Sequence, residues 1–283
     1  MGAEIKGGMK PMVVAVILAN GRPEMVKRAI ASFRAQTYEN KRLVILASDR
    51  SDNCEFHATL LDCEGKPPIL ATTTCLAGAH AFSPFAAISN EVQLTVSSDR
   101  YSTIGALRNF ANLGALAFGA DLICHWDSDD WSHPARIAEQ VDMLRASGKK
   151  CVGYRDLLFW ESPCRLPVQP GCDAPGHAWR FKSDDPRYLV GASMMYTVEA
   201  WRRYPFNDQI EKYEDQDWWQ HNNARCLGES AIPVPLGRPL EPRMICGIHG
   251  ANTSEAYAPE KMRPPAWTHA PEWNAYCADR MRL

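Results

Sequence analysis

Three carboxylates crowd into four residues at the end of a short apolar run, and no other segment of the chain is as suggestive of chemistry. Residues 122–126 (LICHW) precede Asp127, Asp129 and Asp130. The run is typical of a buried strand, and open α/β sheets bind ligands beyond the carboxyl ends of their strands. Clustered like charges repel unless a cation or a proton intervenes, and oxygen ligands suit Mg²⁺ or Mn²⁺. The pattern predicts a metal–diphosphate site, with a solvated acidic turn before the next helix as an equal alternative.

Other polar residues stand where helices or turns are predicted. Arg108 lies near the start of a helix, and a guanidinium beside a helix N-terminus suits a diphosphate. Glu214 and Asp215 begin another helix, where the dipole favours carboxylates whether or not they do chemistry. His249 follows a late apolar run. Taken singly, these residues are equally compatible with a surface arginine, a capping pair and a turn histidine.

The elements that must position these residues alternate between strand and helix. Strand patterns cover residues 12–18 and 42–47, and helical spacing follows Pro23. This order predicts a right-handed βαβ unit in a parallel sheet. Further strands are expected at 93–96, 121–126 and 188–197, and further helices from Thr103, from Pro134, at 198–204 and at 214–225.

Two segments look irregular. Residues 50–92 contain few periodic patterns, and prolines between 155 and 188 are expected to exclude long regular elements there. We expect the second of these segments to form an acceptor-side loop, with stacking faces and donors from Trp160, Trp179, Arg165 and Arg180. The proline- and tryptophan-rich residues after 254 are expected to wrap the surface.

Composition excludes several classes of protein. The chain has 283 residues, 46% hydrophobic and 23% charged, with a net charge of −2, which gives no global field for nucleic acid or anionic membrane. The longest apolar stretch, 12–19, is too short to span a membrane, and no signal peptide is recognisable. None of the ten cysteines forms a C-x-x-C pair. Reduced cysteines and a cytoplasmic location are therefore expected, with Cys124 and Cys151 in the core.

Five ordered motifs resemble those of family 2 glycosyltransferases with a GT-A fold. An N-R-P-E opening and its helix ending in A-Q-T-Y match residues 21–38, and residues 104–109 (IGALRN) resemble a G-x-x-x-R-N helix start. The D-x-D metal motif matches 127–130, the E-D-x-D motif matches 214–217, and the H-G-x-N-T-S segment matches 249–254. Residues 190–193 also resemble the strand that lines the donor sugar. The resemblance covers roughly residues 12–254.

The resemblance implies a mostly parallel, Rossmann-like α/β sheet flanked by helices, with irregular acceptor-side loops. The expected organisation is a single domain over 1–283, with a nucleotide-sugar-binding half at 12–150, an acceptor and catalytic half at 151–254 and a C-terminal tail at 255–283. The implied co-substrate is a nucleoside-diphosphate sugar, UDP-sugar foremost, together with Mn²⁺ or Mg²⁺. Contacts to it are expected from Ala19, Asn20, Arg22, Asp49, Arg108, Asp127, Ser128, Gly191 and Ala192.

The resemblance also implies a division of roles among the acidic residues. Asp129 is the preferred metal ligand, with His249 as a third contributor and Asp127 holding either the metal or the ribose. Asp215 is the implied general base, with Glu214 beside it, in a single displacement that inverts the anomeric centre. The acceptor is an unidentified hydroxyl on a glycan, lipid, protein or modified nucleic acid, and the oligomeric state is left open.

The sequence departs from the family pattern at one position, and two other functions compete with a glycosyltransferase. The family's Asp pair after the second strand is replaced by Ala47-Ser48-Asp49-Arg50, which makes uridine recognition less secure. A nucleotidyltransferase that makes sugar nucleotides should carry a glycine-rich loop after the first strand, which residues 20–23 do not provide. A catalytically silent nucleotide-sugar or carbohydrate-binding protein is the other alternative, and the joint presence of Asp129, Asp215 and His249 argues against it.

Overall fold

A computed structural model describes residues 10–19, 23–48, 92–97, 103–162, 176–232, 241–249 and 266–282. Eleven strands of these segments form one sheet. They are β1 (Val13–Ala19), β2 (Lys41–Ser48), β3 (Val92–Ser97), β4 (Leu122–His125), β5 (Trp131–Ser132), β6 (Cys151–Glu161), β7 (His177–Lys182), β8 (Met195–Thr197), β9 (Cys226–Ser230), β10 (Met244–Ile248) and β11 (Trp267–His269).

The sheet has a parallel half and a mixed half. Its order is β11-β7-β6-β8-β4-β1-β2-β3, with β9 and β10 beside β6, and β5 beside β10. Strands β3, β2, β1 and β4 run parallel, β8 is antiparallel to β4, and β6 is antiparallel to β8. Since β10 is parallel to β6, its carboxyl end faces the same edge as that of β4. That shared edge is where an open α/β sheet places its ligands.

Six α-helices of the described segments flank this sheet. They are α1 (Pro23–Arg34), α2 (Ile104–Ala117), α3 (Arg136–Ser147), α4 (Val198–Arg203), α5 (Glu214–Asn222) and α6 (Asn274–Met281). Thr103 caps α2 by accepting a hydrogen bond from the amide of Ala106, and Gly148 ends α3 in the left-handed conformation. One apolar cluster packs α1 and α3 on one face of the sheet, and a second packs α2 and α4 on the other.

The first half of the fold follows its sequence pattern. The strands at β1, β2, β3 and β4 and the helices from Pro23 and Thr103 lie within a residue or two of their predicted bounds. The mixed α/β architecture with a mostly parallel central sheet is therefore confirmed. Cys124 and Cys151 are fully buried, as predicted. The predicted excursion at 50–92 and the cysteines at 164 and 172 lie outside the described residues.

Two predictions for the second half were wrong. Residues 155–161 and 177–182 are strands, because the prolines of this region, at 163–175 and 186, all lie outside them. The strand expected at 188–197 is shortened to β8 by a 3₁₀ turn at Gly191–Ser193. The C-terminal residues contribute a strand, β11, and a helix, α6. In the described segments, no helix is both long and apolar enough to cross a membrane.

Candidate active site

The acidic cluster lies at the carboxyl end of β4, and each of its carboxylates has a different partner. Asp129 and His249 meet across 120 residues of sequence, with Oδ2 of Asp129 2.8 Å from Nε2 of the imidazole. Asp130 accepts a hydrogen bond of 2.9 Å from the amide of Gly247 on β10. Asp127 accepts a hydrogen bond of 3.1 Å from Arg108. The strand edge therefore brings one carboxylate and one imidazole into contact and places Asp127 against a guanidinium.

The Asp129–His249 pair fits a divalent cation as two adjacent ligands. Ligands at right angles on a metal with bonds of about 2.1 Å lie about 3 Å apart, close to the observed oxygen–nitrogen separation. Both side chains are almost fully buried. Within the described residues no group of three or more His, Cys, Asp or Glu side chains is arranged to hold a metal. The described residues thus offer a pair of candidate ligands, and Mg²⁺-type ions commonly complete their shell with substrate phosphates and water.

Arg108 links the acidic cluster to the carboxylates of α5. Its Nη2 donates to Oδ1 of Asp127 at 3.1 Å and its Nε donates to Oε1 of Glu214 at 3.3 Å. Burial alone would lower the pKa of Arg108, but Asp127 and Glu214 outweigh it and raise that pKa above its usual value. Its Nη1 is buried and finds no hydrogen-bond partner in the part of the chain that the structure describes. The guanidinium is a buried cation with one nitrogen, Nη1, that the described residues do not use.

The N-terminus of α2 does not contribute to this site. The hydroxyl of Thr103 accepts a hydrogen bond from the amide of Ala106, and the amide of Gly105 donates to the carbonyl of Ile210 at 3.3 Å. A Cβ at Gly105 would lie 2.0 Å from the carbonyl oxygen of Asn207, so the 207–210 segment sits directly on the helix end. The expected pairing of a helix dipole with Arg108 is wrong, because protein backbone covers the terminus and Arg108 lies in the second turn.

Asp215 rests against Gly191. A Cβ at Gly191 would lie 1.7 Å from Oδ2 of Asp215 and 2.4 Å from its Cγ, so only glycine leaves room for this carboxylate. Burial raises the pKa of Asp215, against the lowering effect of Arg108. Burial also raises the pKa of Glu214 to about 7, helped by the neighbouring charge of Asp215. Two adjacent carboxylates with raised pKa values, one of them partly exposed, have the chemistry of an acid–base pair.

The helix that carries this pair begins with an unusual backbone conformation. Tyr213 is the residue before α5 and has φ 64° and ψ 28°, the left-handed region that L side chains rarely occupy. It is the one described residue other than glycine with a positive φ. The turn delivers Glu214 inward, where it is buried, and leaves the ring of Tyr213 exposed. Strain at such a position is more common at functional sites than elsewhere.

Several residues that the sequence analysis missed hold the acidic loop in place. Arg28 on α1 donates to the carbonyls of Asp129, at 2.7 Å, and Met281, at 2.6 Å. Arg136 is fully buried and donates from Nη2 to the carbonyls of His125, at 2.9 Å, and Ala192, at 3.1 Å. Neither arginine carried a sequence signal, because their partners here are backbone oxygens.

The remaining predicted donor contacts fall into two groups. Ala19 ends β1 and is buried, Ser128 is buried with no partner for its Oγ in the described segments, and Gly191 and Ala192 lie in the 3₁₀ turn before β8. Asn20, Arg22, Asp49 and the residues after His249 in the H-G-x-N-T-S segment lie outside the described residues.

The aromatic and basic residues expected on the acceptor side are mostly engaged by the protein. Arg180 pairs through two nitrogens with Asp156, and the indole nitrogen of Trp179 donates to Glu161. Trp160 is buried in the core. Arg165 lies outside the described residues. The contacts of Trp160, Trp179 and Arg180 therefore support the packing of β6 against β7 and leave their acceptor role a prediction.

Replacing Gly247 by alanine should destabilise the protein. A Cβ there would lie 2.7 Å from the carbonyl oxygen of Asp129, a backbone atom that Arg28 holds in place. Overpacking of this kind costs about 1–3 kcal/mol of unfolding free energy, which chemical denaturation would measure. Gly114→Ala is the matched control, because its Cβ would meet Val44 at an ordinary 3.5 Å inside a helix. That change should add up to about 1 kcal/mol. Equal effects of the two substitutions would contradict the packing argument.

Comparison with known proteins gives a fold and no sequence family. No protein-family model matches the chain, and no curated protein is significantly similar to it. Among solved structures, TarS 1–349 of S. aureus in complex with UDP is 12% identical, with a TM-score of 0.52 over 83% of this chain and 60% of that one. The same protein in complex with UDP-GlcNAc is 12% identical, with a TM-score of 0.53 over 87% and 61%. This chain spans about 60% of those structures, and the likeness shows a GT-A fold.

Proposed function

We propose that this chain is a metal-dependent, inverting glycosyltransferase that moves a sugar from a nucleoside-diphosphate sugar, with UDP-sugars foremost, to a hydroxyl acceptor. One observation carries the proposal. At the ligand edge of a GT-A sheet, Arg108 joins Asp127 to Glu214, the Asp129–His249 pair lies beside Asp127 in the chain, and Asp215 follows Glu214. The TarS structures with UDP and UDP-GlcNAc support the choice of donor class.

The donor half of the proposed reaction needs positive charge near the diphosphate. Arg108 supplies a buried guanidinium whose Nη1 is not used by the described residues. Asp129 and His249 would hold Mn²⁺ or Mg²⁺, which when bound would neutralise the charge that develops on the diphosphate leaving group. The turn at Gly191 and Ala192 would line the sugar. We assign Asp127 to the ribose or the metal through the oxygen that Arg108 does not hold.

The acceptor half needs a base, and we assign this role to Asp215. It would take the proton from the acceptor hydroxyl while that oxygen attacks the anomeric carbon from the face opposite the diphosphate. A single displacement of this kind inverts the anomeric configuration. The raised pKa of Asp215 makes its carboxylate a stronger base than an exposed aspartate. Glu214 stays paired with Arg108, which leaves Asp215 as the partly exposed member of the pair.

The experiment that tests the function is a donor screen. UDP-, GDP- and dTDP-sugars would each be incubated with the protein and Mn²⁺, and nucleoside diphosphate release and sugar transfer to simple glycoside acceptors would be measured by mass spectrometry. We expect one donor class to be hydrolysed slowly without acceptor and consumed faster with one. Absence of any turnover, with donor binding retained, would instead favour the silent binding protein.

The nucleotidyltransferase alternative makes a different product. It would join a sugar phosphate to a nucleoside triphosphate and release pyrophosphate, so the same assay with a triphosphate and a sugar 1-phosphate separates the two enzymes. Asp215 argues for the glycosyltransferase, because a nucleotidyl transfer to a phosphate needs no base for a hydroxyl proton.

Transfer should fall as the pH is lowered. A general base works only when unprotonated, and burial raises the pKa of Asp215 while it raises that of Glu214 to about 7. The two carboxyls titrate as a coupled pair, so the acid limb of kcat/KM belongs to the pair. Activity should be full above that limb and lost below it, with the midpoint above the ordinary pKa of an aspartate. A profile measured from pH 4.5 to 9 that stays flat to its acid end would contradict this assignment.

A further inference from the structure

A line of buried polar groups crosses the core and ends beneath Asp215. Asn112 on α2, Tyr196 on β8 and His125 on β4 are all fully buried. Asn112 donates from Nδ2 to the Tyr196 hydroxyl at 3.0 Å, and that hydroxyl lies 3.1 Å from Nε2 of His125. On its other side the imidazole lies with Nδ1 2.8 Å from the carbonyl oxygen of Gly191. Buried polar groups are costly unless paired, and each ring nitrogen of His125 has a partner.

The direction of these hydrogen bonds follows from what each group can donate. The carbonyl of Gly191 can only accept, so Nδ1 of His125 carries a proton. The phenol of Tyr196 has two acceptors within reach, Nε2 of His125 at 3.1 Å and Oδ1 of Asn112 at 3.3 Å, and the nearer one is Nε2. The imidazole is therefore neutral with its proton on Nδ1. Its ring is held by Tyr196, edge to face at 5.4 Å, and by Phe206 at 5.6 Å.

Gly191 passes this constraint on to the carboxylate. Asp215 lies on the side of Gly191 where a Cβ would be, at 1.7 Å from that position. Because glycine has no side chain, the position of Gly191 is set by the hydrogen bonds of its backbone. The carbonyl of Gly191 accepts from Nδ1 of His125 and, at 3.2 Å, from the amide of Met194, and the carbonyl of the next residue, Ala192, accepts from Arg136. A shift of the turn would move the surface on which Asp215 rests.

The same helix holds both members of the acidic pair. Arg108 and Asn112 are four residues apart on α2 and so share one face. Arg108 binds Glu214 directly, and Asn112 begins the line that reaches Asp215 through Tyr196, His125 and Gly191. Both carboxylates are therefore positioned by the same helix, α2, through two separate series of contacts.

We propose that His125 is a positioning residue for Asp215. Its Nδ1–H holds the Gly191 carbonyl in place, and the position of Gly191 in turn sets how far the Asp215 carboxylate extends into the site. This inference rests on the proposed function, in which Asp215 is the base. A base displaced by about 1 Å loses up to about a hundredfold in rate while donor binding persists, because distance to the reacting proton governs the chemical step.

Two conservative substitutions separate positioning from simple packing. His125→Asn places an amide N–H near the position of Nδ1 and loses the Tyr196 contact, whereas His125→Gln places its amide near Nε2 and loses the Gly191 contact. We expect kcat to fall about ten- to a hundredfold in His125→Gln with donor KM unchanged, and His125→Asn to recover much of that loss at a comparable Tm. Equal losses in the two variants, or losses that track Tm, would overturn the proposal.

A second measurement needs no turnover, so failure of the proposed function is distinguishable from failure of this inference. Nitrogen-15 chemical shifts of the wild-type protein report which imidazole nitrogen of His125 carries the proton. A proton on Nδ1 with Nε2 accepting supports the proposal whether or not any donor is consumed. A bare Nδ1 would overturn it even in an active enzyme.

Discussion

Asp129→Ala should abolish sugar transfer and weaken nucleotide-sugar binding in the presence of Mn²⁺. The substitution removes the carboxylate that lies 2.8 Å from His249, so the proposed cation loses one of the two ligands that the described residues would provide. A cation at a leaving diphosphate contributes several kcal/mol, and a loss of about 4 kcal/mol corresponds to about 10³-fold in rate. Steady-state transfer assays and calorimetric titration with Mn²⁺ and donor would measure both effects.

The control for this substitution is an exposed aspartate. Asp142→Ala on α3 removes the same charge from the surface and should leave transfer unchanged. Folding should survive in Asp129→Ala, because Arg28 holds Asp129 through its backbone carbonyl, and thermal unfolding would confirm this. Wild-type turnover that persists in a chelator, or a fully active Asp129→Ala variant, would remove the metal from the mechanism.

The fold was predictable where local pattern and final environment agree. Strands β1 and β2 are continuous apolar runs because parallel strands in the middle of a sheet are buried on both faces. Strands β6 and β7 were missed because they carry charged residues among apolar ones and lie next to prolines. Those charges are compatible with strands because they pair across them, as Asp156 does with Arg180. Such pairing depends on register, which the sequence does not display.

The candidate site was predictable only in part, for a similar reason. The acidic cluster has a local pattern, but the contact of Asp129 with His249 joins residues 120 positions apart and was expected only through the family resemblance. Arg136 and His125 had no pattern at all, since they act on carbonyl oxygens that every residue carries. The helix end near Arg108 was misjudged because the 207–210 segment that covers it is remote in sequence.

Asp215→Asn should slow transfer about 10²–10⁴-fold while leaving donor affinity nearly unchanged. The amide keeps the shape of the side chain against Gly191 but cannot take a proton from the acceptor hydroxyl, and one general base usually contributes a factor of this size. In the proposed site, Arg108 and the Asp129–His249 pair hold the donor, and this substitution leaves their contacts in place. Single-turnover transfer and equilibrium binding of the donor would measure the two quantities separately.

The acid limb of the pH profile gives this prediction a second readout. If Asp215 is the base, the residual activity of Asp215→Asn should lose the limb that the wild type shows, because the titrating group that must be unprotonated is gone. Asp142→Asn, a matched change on the exposed face of α3, should keep both the wild-type rate of transfer and the acid limb of the pH profile. A variant in which donor binding collapses while turnover of bound donor stays normal would make Asp215 a structural cap of α5. The carboxylates at the start of that helix would then only stabilise it, through the favourable interaction of negative charge with the helix dipole.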